Sequence, residues 1–211
     1  MRTIPLILLF TLFLPADLAA AEPPAQLDFV TCKDNTAIDA FLRKASPLYS
    51  AMARIVEFRG GYAIADREGV RGGQWNAADR TILVNPRLAG AHRASLIAFE
   101  MTNAYQEQVH REVDTAVVAG EITTKTEFAL RLELIEYDGL RLHREMLVEI
   151  ENHLGKIPPE FFFVSNPKPA SVAKYQLPSV MDFLKQMKAS GHAESYYEWF
   201  ETQKKQAPLN K

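Results

Sequence analysis

Two long stretches of helical periodicity decide what this chain can become. Between residues 91 and 111, Leu96, Ile97, Met101, Ala104, Tyr105 and Val109 recur at close to the 3.6-residue spacing of an amphipathic helix. After a loop marked by Gly120, a second stripe runs through Phe128, Leu132, Ile135, Leu142, Met146 and Ile150. Thr123 or Thr124 can cap this helix, and Glu127, three residues after Thr124, completes a capping box. Gly155 and Pro158-Pro159 stop it. A stripe of this kind must bury its apolar face against another element, so the fold is built around packed helices.

The rest of the chain supplies shorter elements. Residues 22–34 read as an extended lead-in in which Leu27, Phe29 and Cys32 alternate. Asp34 or Asn35 can cap a helix with apolar positions at Ile38, Phe41 and Leu42. Pro47 opens a short turn of helix through Leu48, Tyr49 and Met52. Ile55-Val56-Glu57-Phe58 reads as a strand, Gly60-Gly61 as a turn and Tyr62 to Ala65 as a second strand. Gln74-Trp75-Asn76 can pair with Thr81 to Val84 across a turn over Ala77 to Arg80, and Asn85-Pro86 closes the run. Phe161, Phe162, Phe163 and Val164 require burial, and two helices, roughly 178–189 and 192–205, follow on either side of Gly191. Of the aromatics in the last helix, Tyr196, Trp199 and Phe200 are expected inward and Tyr197 outward. The expected fold is α+β, a predominantly helical single domain with a small, mostly antiparallel sheet in its first half.

Composition removes several functional classes. With 24 basic and 26 acidic side chains, the net charge of −2 gives no electrostatic footprint for nucleic acid. A single cysteine, Cys32, allows no internal disulfide and is read as a buried thiol. Residues 1–21 stand apart. A positive start at Arg2, an apolar run from Ile4 to Leu14 and the small residues Ala19-Ala20-Ala21 are the parts of a secretory signal peptide cut after Ala21. The apolar run is well short of the roughly 20 residues that a membrane span needs. The expected mature protein is therefore residues 22–211, periplasmic or secreted, with no membrane attachment after cleavage.

No intact catalytic motif is present. The five histidines, His92, His110, His143, His153 and His192, form no His-Glu-x-x-His unit, and a lone histidine is usually not a metal ligand. One arrangement stands out. An apolar strand, Thr81 to Val84, precedes the helix containing Phe99-Glu100-Met101-Thr102-Asn103-Ala104, and a later helix carries Glu133, Glu136 and His143. This segment, about residues 55–150, resembles the zincin-type metallopeptidases, particularly small bacterial ones. The resemblance implies that Phe99 and Asn103 stand at the two metal-ligand positions, Glu100 at the general-base position and Glu136 at the third ligand. Ligands at i and i+4 share a helical face and can grip one metal, while a neighbouring glutamate deprotonates the metal-bound water. Phe99 has no donor atom, and Asn103 is a poor zinc ligand. The general-base position survives where the metal grip does not.

Three functions follow as expectations. The first is an exported zincin-like protein without zinc peptidase activity or other cofactor, which binds a peptide or protein in the old cleft by a route such as strand addition. The second is an active hydrolase that holds zinc through an unusual set, Glu100, Glu136 and His143. The third is a periplasmic immunity-type binding protein unrelated to zincins. A plainer reading makes Phe99 and Asn103 helix-packing residues and pairs Glu100 with Arg93 or Lys125 on the surface.

Overall fold

The computed structural model describes residues 28–162 and 169–206. Residues 1–21, read above as a signal peptide, the start of the lead-in to Leu27, and Phe163-Val164 lie outside the described residues. The chain enters through a turn rather than an extended segment. The Asp28 carboxylate accepts hydrogen bonds from the Val30 amide and the Thr31 hydroxyl, and the Cys32 amide donates to the Asp28 carbonyl. An aspartate that bonds its own backbone two residues on favours a turn over alternation.

Helix α1, Asn35–Ala45, begins where the Asp34 side chain accepts from the amides of Thr36 and Ala37. It ends at Ser46, whose hydroxyl oxygen at once caps α2, Pro47–Phe58, by accepting from the Tyr49 amide at 3.0 Å. The helix α2 absorbs Ile55 to Phe58, which the sequence suggested as a strand. Tyr49, Met52, Ala53 and Val56 form its buried face. That 3.6-residue repeat outweighs the local β-propensity of Ile55, Val56 and Phe58, and it leaves Phe58 93% exposed.

Three short strands follow: β1, Ala63–Asp66; β2, Gly73–Asn76; and β3, Thr81–Val84. The expected hairpin forms, with Trp75 opposite Ile82 in an antiparallel β2–β3 pair. The spatial order is β1-β3-β2, and β1 runs parallel to β3, so the sheet is mixed rather than mostly antiparallel. With no strand at Ile55–Phe58 to pair with, β1 adds to the free side of β3. The most apolar strand, Ile82-Leu83-Val84, therefore lies in the centre and is buried.

Helix α3, Gly90–Val118, carries no side-chain cap. Its first amides are satisfied by the entering chain instead. The Gly90 amide donates to the Cys32 carbonyl at 2.7 Å, and the Ala91 amide to the Phe29 carbonyl at 2.9 Å. Only glycine fits at residue 90, because a Cβ there would lie 1.9 Å from the Phe29 oxygen and φ is +55°. Helix α4, Lys125–Leu154, starts at Thr124, whose side chain accepts from the Glu127 amide as the capping pattern requires. It returns antiparallel to α3. Helices α5, Val180–Ala189, and α6, His192–Gln206, then pack on its first half.

The apolar residues form two clusters. The larger joins α1, α2 and the sheet to the first half of α3 and the second half of α4, and it takes in Phe161 and Phe162. Cys32 packs half-buried against it as a free thiol. The smaller joins the opposite halves of α3 and α4 to α6 through Phe128, Leu132, Tyr196 and Phe200. Tyr197 and Trp199 pack partly buried against this smaller cluster, so Tyr197 is less exposed than its position suggested. Arg93 is fully buried and binds Asp66 and the Asn35 carboxamide oxygen, which ties α3 to β1 and α1. It does not pair with Glu100. The described residues make a single α+β domain, and no helix among them is long and apolar enough to cross a membrane.

Candidate functional site

A cavity of about 520 Å³ opens between β2, the middle of α3 and the start of α6. Glu100, Asn103 and Glu136 all line it, together with Phe99. Glu100 is only 5% exposed. Its Oε2 accepts hydrogen bonds from the Trp75 amide at 2.9 Å and from the Asn103 side-chain amide at 3.0 Å. The strand comes this close because residue 73 is glycine. A Cβ at Gly73 would meet the Glu100 Cγ at 2.7 Å.

The electrostatics follow from burial. Loss of water first, and then the neighbouring Glu136, push the Glu100 carboxyl up to about 7 against the pull of its two hydrogen bonds. Glu136 is raised as well, first by burial, although His192 and the Tyr196 hydroxyl favour its charged form. The Tyr196 hydroxyl donates to Glu136 Oε1 at 3.2 Å. His192 Nδ1 lies 3.0 Å from Glu133 Oε1, and this hydrogen bond raises the imidazole above its usual range. The buried Glu100 carboxyl can hold and exchange a proton near neutrality, and both carboxyls can accept donors from a guest. Ser, Thr, Cys and Lys are absent from the described lining residues.

No protein-family model, no curated protein and no solved structure matches this chain. The site must therefore be read from its own chemistry.

The donor set does not fit zinc. The Phe99 ring packs edge-on against the His143 imidazole, with centroids 6.0 Å apart. The Asn103 amide group is turned toward Glu100, and Glu136 accepts from Tyr196. His143, part of the unusual ligand set considered above, does not line the cavity. It is fully buried, with Nε2 3.0 Å from the Ser95 hydroxyl, which itself donates to the Phe161 carbonyl. Burial drives this imidazole down to about 3, so it is neutral. The sequence pattern therefore brings Glu100, Asn103 and Glu136 to one cavity and leaves His143 behind Phe99. Among the described residues, no three His, Cys, Asp or Glu side chains converge to hold a metal.

Tyr196, His192 and Trp199 belong to the same wall and were not assigned to the site from sequence. They arrive from α6 with no spacing motif. The available signal was the density of aromatics at residues 196–200.

The free edge of β2 is also occupied. The Trp75 amide faces away from β3 and is already given to Glu100, so an added strand would have to displace a carboxylate there.

Proposed function

We propose that this chain is an exported binding protein with a zincin-like frame and no zinc peptidase activity, and that it holds a segment of a peptide or protein in the cavity beside α3. One observation carries the reading: an open cavity whose buried carboxyl, Glu100, accepts hydrogen bonds from protein groups, with a phenyl ring and a carboxamide where the zincin comparison calls for metal ligands. The guest enters by its side chains rather than by extending the sheet, because the strand-edge amide is occupied. Nucleic acid and lipid are poor partners for a cavity lined by Glu100, Glu107, Asp114 and Glu136.

Calorimetric titration of the purified protein with random capped hexapeptides tests this reading. Saturable binding is expected, and Ala77→Phe, which narrows the mouth at an exposed lining residue, is expected to weaken it at least ten-fold. Binding that ignores Ala77→Phe would move the site elsewhere. Cleavage of the bound peptides, abolished by a chelator, would replace the binding reading with the hydrolase.

A further inference from the structure

We propose that the cavity is a socket for the side-chain cation of a basic peptide segment, a lysine ammonium or an arginine guanidinium. This names the guest for the binding function proposed above and rests on it. Glu100, Asn103, Glu107, His110 and Asp114 all line the cavity from one helix, spaced three or four residues apart. Such spacing places them on one face, a floor about 21 Å long from residue 100 to residue 114 at 1.5 Å per residue.

That floor has an excess of acceptors. Both hydrogen bonds to Glu100 fall on Oε2, and among the described residues Oε1 takes none, although the side chain is more than nine-tenths buried and borders the cavity. Asn103 Oδ1 and Asp114 Oδ1 are buried with no donor among the described residues. Glu100 Oε1, which borders the cavity without a donor, is the acceptor that a donor-rich guest reaches first.

The cations on the wall do not meet this need. Arg111 binds Glu107, and His192 binds Glu133. His110 is held toward its neutral form by burial. No lysine is among the described lining residues. Trp75, Phe99, Tyr196 and Trp199 supply aromatic surface, which attracts an ammonium or guanidinium through the ring quadrupole and packs on the aliphatic stem of a long side chain. Charge-assisted hydrogen bonds to carboxylates are the stronger kind, and here they would form away from bulk water. A floor about 21 Å long is far longer than a simple amine, and this favours a peptide as the source of the charge.

Both tryptophans of the chain line the cavity, so intrinsic fluorescence reports on it directly. The full chain is titrated with capped hexapeptide pools, random except for a central lysine, arginine or norleucine, and with n-butylamine. The lysine or arginine pool is expected to shift the emission saturably, with norleucine at least ten-fold weaker and n-butylamine weaker still. Glu100→Gln and, at a half-buried position that folding tolerates more easily, Asp114→Asn are each expected to weaken the basic pools at least five-fold and leave norleucine unchanged. Equal affinity for norleucine and lysine would overturn the cation assignment and leave peptide binding in place. Equal affinity for n-butylamine and the lysine pool would overturn the peptide source. Loss of response to every probe would overturn both.

Discussion

Glu100 carries a conflict that pH can expose. Its carboxyl is raised from 4.5 to about 7 by burial and by Glu136. A carboxyl raised in the folded state contributes stability below its unfolded value, and that contribution is lost as pH rises through 4.5 toward 7. His143 acts in the opposite sense. Its depressed value, about 3 against an ordinary 6.5, costs stability as pH falls below 6.5. The two trends oppose each other between pH 4.5 and 6.5. Glu100→Gln keeps an acceptor for Trp75 and Asn103 and removes the charge. At pH 8 it is expected to exceed the parent by on the order of 2–3 kcal/mol in urea denaturation. Below pH 6.5 it should lose stability more steeply than the parent, because the histidine trend stands alone. A variant no more stable than the parent at pH 8 would show that Glu100 ionises without cost. Residue-level chemistry was only partly legible beforehand. Glu100 and Glu136 were paired through the zincin comparison, whereas Tyr196 and His192 reach the same cavity from α6, some sixty residues beyond Glu136, where no local spacing could link them.

Elements were legible where a period ran long enough to outweigh local preference. The starts of α1, α2 and α4 follow from Asp34, Pro47 and Thr124; the caps at Asp34 and Thr124 form as expected, and Ser46 adds one to α2 that the sequence reading did not name. The start of α3 could not be read the same way, because backbone carbonyls from Phe29 and Cys32 serve as its cap and these leave no residue signature. Ile55 to Phe58 reads as a strand because three β-favouring residues, Ile55, Val56 and Phe58, sit at the end of a helix whose buried face begins at Tyr49. The zincin comparison makes its own prediction at this scale, since it concerns one turn of α3 and its relation to α4. In the double variant Phe99→His with Asn103→His, two imidazoles would share the face that meets Glu136 on the cavity wall. One chelator-sensitive zinc per chain is expected by elemental analysis and calorimetry. A folded double variant that takes up no zinc would remove the basis for the comparison.

At the scale of the whole molecule, the helical weight and the position of the small sheet follow from the sequence, and the parallel β1–β3 pairing does not. Strand order depends on which edge of β3 remains free after the hairpin closes, a long-range outcome with no local code. The division of the apolar residues into two clusters has a consequence for motion. The larger cluster has long-range polar ties, Arg93 to Asp66 and Glu149 to Ser46 and the Leu48 amide. Helix α6, which supplies a wall of the cavity, docks through Ala193, Tyr196 and Phe200 on the smaller cluster and through polar ties of its first two turns to Glu133 and Glu136, a smaller apolar contact than the larger cluster makes. Regions with less buried apolar contact open at lower free energy than the global transition. Amide hydrogen exchange should therefore find α6 opening well before α1 and α2, and a bound guest should slow exchange in α6 selectively. The pocket would then be a breathing one, in which occupancy is felt as the rigidity of a terminal helix rather than as a change of shape.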